Sequence, residues 1–584
     1  MDRRRFMAQA AGVALVAHEA LMPARGDASS QAASGSAESS SEPGLNVGPD
    51  ASRYRLTRDR VLKGTGPAYT PEFLLADVQG IPERRFTNFC GDTSGRWIGA
   101  LSACSRSFGE EFPLLHDVVK RTIALQHEDG YFGGMFHYER PNDDDLALLW
   151  GNGRLLVGLM ENYALDRDAA VLGAARKLGD FLLRIAPQFN SQAMADAFSA
   201  EHYASSYICW TQQTEGLAAL YAATRDERYR ELCAEISKRI SRRPGDHVHG
   251  YLTSLRGTLD LYDATGDAAC LKQVTAAWQD VVHSGDVLIT GGVPERWSPK
   301  RERTEGCAEC DWLRLNLGLY RATGEAMYMD RAQETYFNEF SMNQFATGDF
   351  GHGNLDAAGR TVNVNVRAWW CCTLHGLRTF PALRDSAFRV AGDEAFFDFP
   401  IDSGVRSQGF AAEARSDLAR SGEVRIEVRA AGKGQRLTVF KPSWADRVTL
   451  TRNGGPVSGL TIDGIAAGDA VSVKYGMSLH ASELGGTARK LRFGPWLLGI
   501  SSSANPTYFG ELQAQNVFDL ETFRPDQKSA QQVFEVPAAR GRMRYRSAEY
   551  PDQPAEVELV AVAEQTANPP ETWQLVVPVG PAAG

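Results

Sequence analysis

From about residue 96 to 395 apolar side chains recur every three or four positions with few β-branched runs, a pattern that predicts successive α-helices. LLHDVVKRTIALQ, RLLVGLMENYALD and GAARKLGDFLLRIA are clear instances. Four segments share a hinge: MENYALDRDAA from 160, ALYAATRDERY from 219, DLYDATGDAAC from 260 and GLYRATGEAMY from 318. Each reads as a helix ending at Tyr163, Tyr221, Tyr262 or Tyr320, a short turn, an acidic cap and a second helix. The tyrosines step by 58, 41 and 58 residues, as repeated helical hairpins with insertions would. Irregular repeats with long loops favour a closed toroid over an open solenoid. An (α/α)6 barrel is therefore expected over residues 46–395.

After about residue 396 the pattern changes to short alternating stretches, among them VRIEVRA, QRLTVFKP, RVTLTRNGG, AVSVKYG and AEVELVAV, separated by Gly, Asn, Asp and Pro. These are half-buried strands with turn punctuation. The expected fold class is multidomain α+β, an (α/α)6 barrel followed by an all-β sandwich region over 396–584. The β region holds no cluster of catalytic type, so its expected role is to buttress the barrel or bind carbohydrate.

A chain of 584 residues exceeds what one hydrophobic core supports. Its net charge of -10 argues against a nucleic-acid or anionic-membrane partner. The N-terminal MDRRRFM places paired arginines before the apolar run Ala8 to Ala17, a twin-arginine export pattern, and a Ser/Ala/Gly-rich spacer follows. Residues 1–45 are therefore expected to be an export signal and spacer, and the protein periplasmic or secreted. The apolar run is too short to span a bilayer, so no stable membrane insertion is expected. Nothing in the sequence speaks to oligomeric state.

Nine cysteines are an odd number, and Cys90, Cys104, Cys209, Cys233 and Cys270 are scattered through helical sequence, as buried free thiols commonly are. The other four cluster in motifs: ITGGVPERW from 289, TEGCAECDW from 304 and WWCCTLH from 369. Adjacent cysteines such as Cys371 and Cys372 rarely make a relaxed disulfide with each other. Soft thiolates with one carboxylate suit tetrahedral zinc, tying together segments 64 residues apart. The spacing alone leaves open whether Cys310 or Glu305 is the fourth ligand, and whether such a site is purely structural.

The order of Ile-Thr-Gly-Gly, Glu-x-Cys-Ala and Cys-Cys resembles glycoside hydrolase family 127, the β-L-arabinofuranosidases. The resemblance implies a zinc ion held by Glu305, Cys307, Cys371 and Cys372, with Cys371 as nucleophile. It also implies an acid/base just after Ile-Thr-Gly-Gly, where Glu295 is best placed and Glu302 and Glu309 are alternatives. The implied reaction is hydrolysis with retention by double displacement on a carbohydrate substrate, with L-arabinofuranose as the default sugar. Further candidates for substrate contact are Asp129 and Tyr131 in the turn QHEDGYF, and His247 or His249, with His249 preferred. Where family members carry Gly-His, this chain has Gly153-Arg154 and Thr211-Gln212. An Arg154 fork would favour a uronic acid, unless it is paired with Asp143, Asp144 or Asp145. A lyase, an epimerase, an unsaturated-uronide hydrolase on the same toroid, or an inactive carbohydrate-binding protein stay open as alternatives.

Overall fold

A helix that buries its whole circumference must be packed on every side, and this property separates an inner from an outer layer in the computed structural model. The structure describes residues 49–63, 69–79, 88–198, 206–298, 303–354, 367–407, 409–510, 515–526, 538–564 and 572–580. The export signal and spacer expected over 1–45 lie outside them, as does Glu302. Among the described residues the inner layer comprises Asp92–Phe108, Asp143–Asp166, Ile208–Thr211 continued by Thr214–Thr224, Val248–Thr265, Gly306–Thr323 and Trp370–Ala387. Each packs on the next and the last packs on the first, which closes a ring. Outside it lie Pro113–Ile123, Ala169–Phe189, Glu227–Ser237, Ala268–His283 and Ala326–Thr335, each against the inner helix that precedes it. Pro49–Lys63 packs on Trp370–Ala387 and completes the sixth pair. This is the expected (α/α)6 arrangement.

The hinges form as the hydrogen-bonding groups require, with one correction. Each helix runs on past its tyrosine, whose carbonyl accepts from the amide of a left-handed residue four positions later: Arg167, Arg225, Gly266 or Gly324. Asp168, Asp226 and Asp267 then cap the outer helices by accepting from the amides of Ala170, Arg228 and Ala269. The two arginines are non-glycine residues at positive φ, 57° and 54°, and their guanidiniums lie over Tyr163 and Tyr221 at 5.2 and 5.5 Å. Inner helices also meet at glycine: a β-carbon on Gly158 would lie 2.3 Å from the carbonyl oxygen of Gly95.

Strand pairing of the C-terminal β region begins at Phe388–Ala391, earlier than residue 396, because Ala391-Gly392-Asp393 turns this segment back on Glu394–Phe397. Among the described residues the β region contains three sheets rather than the two of a single sandwich. A four-stranded and a six-stranded sheet occupy residues 388–476, and a nine-stranded sheet is built from residues 479–578. Alternation explains the faces: in Glu423–Ala431, Val424, Ile426 and Val428 are buried between exposed neighbours. The sheets brace the barrel through one outer helix. Trp444 Nε1 donates to Gln333 and Lys490 pairs with Glu334. Asn338, in the π-helical turn Tyr336–Phe340, donates to the carbonyl of Pro495 and accepts from the amide of Leu497. Among the described residues no helix is long and apolar enough to cross a membrane.

Candidate active site

Two inner helices start at the same mouth of the ring, and their first turns carry thiols. Glu305 ends the short strand Arg303–Glu305 and caps Gly306–Thr323, whose first turn holds Cys307, while Cys371 and Cys372 lie in the first turn of Trp370–Ala387. Both helix N-termini favour negative charge. A three-stranded sheet ties them together: Glu305 pairs with His352 of Gly351–Asn354, and His352 in turn pairs with Arg367. The residue between Glu305 and Cys307 has to be small, since a β-carbon on Gly306 would lie 3.0 Å from Cβ of Cys372 and 2.9 Å from Oδ1 of Asn343.

The sulfurs of Cys307 and Cys372 are 3.7 Å apart, and those of Cys371 and Cys372 3.9 Å apart. One ligand atom from each of Glu305, Cys307, Cys371 and Cys372 lies within 4.8 Å of every other, so these four residues can hold a metal ion. Cys310 is outside that group and its buried thiol is pushed up. Hydrogen bonds from Cys307 and Cys372 hold the Cys371 thiol well below its ordinary value, against burial and with help from Arg96. Burial raises Cys307 and Cys372. Burial alone would also raise Glu305, yet His247 at 3.1 Å and His352 at 3.9 Å hold its carboxyl far down. Cys371 is the half-buried member of the four, and the half-buried indoles of Trp369 and Trp370 stack beside it with centroids 5.1 Å apart.

Glu295 is buried, with Oε2 2.9 Å from Nε of Arg303 and Oε1 3.7 Å from Nε2 of His352. His352 therefore stands between Glu295 and Glu305. The Ile-Thr-Gly-Gly turn that delivers Glu295 is locked from below. Thr290 donates to the buried carboxylate of Glu339, Gly291 is left-handed at φ 84°, and a β-carbon on Gly292 would lie 2.1 Å from Oε2 of Glu309. Glu309 faces Glu339 there, and burial together with that neighbour raises its carboxyl well above the ordinary range. That position beneath the turn does not suit Glu309 to the acid/base role.

One turn deeper, Arg96 joins the two sides. Its Nε donates to Asp92 at 2.8 Å, Nη2 to Nε2 of His249 at 2.8 Å, and Nη1 lies 3.3 Å from Nδ1 of His375 and 3.6 Å from the sulfur of Cys307. Asp311 accepts from the other nitrogen of each histidine, at 2.5 and 2.8 Å. His249, Asp311 and His375 are close enough to hold a metal ion, but the guanidinium already occupies the outward side of both rings. Another turn deeper, Glu215 receives Arg154 at 3.2 Å, Arg256 at 2.9 Å and Arg378 at 3.0 Å.

The structure thus brings together Cys371, Glu295, Glu305, Cys307, Cys372 and His247 and sets the other candidates elsewhere. His249 is behind the site with both ring nitrogens engaged. Arg154 is fully buried against Glu215, so neither a sugar carboxylate nor Asp143, Asp144 or Asp145 is its partner. Asp129 accepts from Tyr138 and pairs with Arg184, and Tyr131 packs on His127 and Phe181, so the loop before Asp143–Asp166 is tied to the outer helix Ala169–Phe189. Sequence reasoning missed Arg96 and His352. The available signals were an arginine amid small and apolar residues in GRWIGALSA, and a histidine between glycines in FGHGN.

A family profile described as "Beta-L-arabinofuranosidase, GH127 catalytic domain" matches residues 77–385. Among solved structures, a GH127 β-arabinofuranosidase shares 16% identity with a TM-score of 0.70, covering 91% of this chain and 94% of that one. A GH127 β-L-arabinofuranosidase from Geobacillus stearothermophilus T6 shares 13% identity with a TM-score of 0.67, covering 92% of this chain and 100% of that one. No curated protein sequence matches the chain.

Proposed function

Because the chain belongs to glycoside hydrolase family 127, we propose that this glycoside hydrolase is a retaining exo-enzyme with Cys371 as nucleophile, Glu295 as acid/base and a β-L-arabinofuranoside as its first substrate to test. One observation carries the reading: a low-lying, half-buried thiol at the barrel mouth sits in a cluster with two buried thiols and a carboxylate. Zinc–sulfur bonds of about 2.3 Å at tetrahedral angles separate sulfurs by about 3.8 Å, and the observed 3.7 and 3.9 Å fit. Glu305, Cys307, Cys371 and Cys372 would hold such an ion, which when bound keeps the thiols ionised and makes a sulfur attached to sugar a better leaving group.

In the first displacement the Cys371 sulfur bonds to the anomeric carbon as the bond to the aglycone oxygen breaks, and Glu295 delivers its proton to that oxygen. In the second, Glu295 takes a proton from water, the water oxygen bonds to the anomeric carbon, and the carbon–sulfur bond breaks to return the thiolate. His352, 3.7 Å from Glu295 and 3.9 Å from Glu305, sets the separation of the two carboxylates. Trp369 and Trp370 offer a flat apolar wall for the sugar ring. With Arg154 tied to Glu215, its guanidinium gives no reason to expect a uronic acid. The MDRRRFM start supports export of the folded enzyme by the twin-arginine route.

The test pairs metal analysis with a Cys371→Ala variant on a panel of chromogenic glycosides. Loss of hydrolysis with a retained melting curve is expected. A folded variant that keeps wild-type turnover on any substrate of the panel removes Cys371 from the mechanism.

A further inference from the structure

Five of the inner helices line a cavity of about 270 Å³ at the opposite mouth of the ring. Its floor is made by Arg256, Arg314 and Arg378, and Arg106, Arg321 and Arg389 stand around its rim. The floor is one acceptor short. Glu215 Oε1 already accepts from Arg256 at 2.9 Å and pairs with Arg378 at 3.0 Å, while Arg314 stands off at 3.8 Å from the same oxygen. Nη1 of Arg314 and Nε of Arg378 are buried without a hydrogen-bond partner. The rim arginines have their own carboxylates: Arg106 has Glu161, Arg321 has Asp263 and Arg389 has Asp398. Arg378 also pairs with Glu161 at 2.7 Å, whereas among the described residues Arg314 has only the shared Glu215.

We propose that this cavity is a binding site for a small oxyanion, a carboxylate or phosphate group whose oxygens complete the coordination of Arg314 and Arg378. A planar guanidinium prefers two-oxygen partners of this kind. Burial, with Arg256 and Arg378 alongside, pushes the Arg314 guanidinium down to about 9, the direction an unsatisfied cation takes. The volume suits inorganic phosphate or a single sugar acid and is too small for an oligosaccharide. The inference is independent of the proposed chemistry at Cys371, which lies at the other mouth.

The experiment is thermal unfolding and calorimetric titration of the full chain with inorganic phosphate, sulfate, glucuronate and, at matched ionic strength, chloride. Saturable stabilisation by phosphate, sulfate or glucuronate but not chloride is expected. An Arg314→Met variant should weaken that binding by about tenfold or more. Glucuronate binding the tighter marks an organic acid as the occupant, and phosphate or sulfate binding the tighter marks an inorganic one. Should Arg314→Met fail to fold, Arg321→Gln on the exposed rim should still lower affinity. Stabilisation by chloride equal to the other anions, no saturable binding, or unchanged affinity in the folded variants would overturn the proposal.

Discussion

Gly158→Ala tests whether the ring is set by close backbone approach. Gly158 of Asp143–Asp166 faces Gly95 of Asp92–Phe108, and the added β-carbon would lie 2.3 Å from the Gly95 carbonyl oxygen and 3.0 Å from its Cα, where ordinary contact begins at 3.4 Å. Both sides are backbone, so no rotamer change relieves the clash and the helices must separate by about 1 Å. Alanine gains about 1 kcal/mol over glycine within a helix, and overpacking costs about 1–3 kcal/mol. With two rigid partners the upper end applies, for a net loss of about 2 kcal/mol. The separation also pulls Arg96, next to Gly95, off His249 and His375. Gly173→Ala, in the outer helix Ala169–Phe189 with nothing within 4 Å of its β-carbon, is the control and should gain about 1 kcal/mol. Urea unfolding followed by far-ultraviolet circular dichroism reads both. If Gly158→Ala is as stable as the parent while Gly173→Ala gains, the close approach does not set the ring.

Three further outcomes are expected. Gly266→Ala puts a side chain at φ 74° in a hinge with open space around it, so backbone strain alone should cost about 1 kcal/mol, measured by the same unfolding curves. Burial alone would raise Glu334, but Lys490 at 2.7 Å and Arg331 hold it at about 2 against an ordinary 4.5. A depressed carboxyl stabilises above the unfolded value and loses that contribution as pH falls from 4.5 toward 2, at most about 3 kcal/mol. Lys490→Met should therefore lower stability at pH 7, and its difference from the parent should shrink as pH falls from 4.5 to 2 and vanish only below about 2; a pH-independent difference would refute the linkage. Arg96→Met removes the donor to Asp92, His249 and His375 and leaves Asp92 with Trp150. It should cost about 3–5 kcal/mol and reduce hydrolysis, and unchanged unfolding curves would count against the network.

How much of this was legible depended on whether the signal was local. The hinges were readable because tyrosine, turn and acidic cap fall within a few consecutive residues, and capping is a local bond. Their ends were misplaced because the bond that closes each helix runs from the left-handed residue back to the tyrosine carbonyl. The thiol cluster was readable because cysteine beside cysteine is rare in any context. Among the inner-helix polar residues Arg154 was misread and Arg96 missed, and depth explains why. On Gly306–Thr323, Cys307 reaches the mouth, Asp311 binds the two histidines, and Arg314 approaches Glu215. On Trp370–Ala387 the same descent is Cys372, His375 and Arg378.

Each step is three or four residues, about one turn of 5.4 Å, and each turn changes the chemistry from site to scaffold. Arg154 lies one turn past Trp150, whose ring meets His247 and His249, and that turn is enough to move it from the thiol-bearing mouth to Glu215. In a ring of parallel inner helices, then, distance from the helix start separates a catalytic polar residue from a buried ion-pair member, and the sequence shows that distance only once the true helix starts are known.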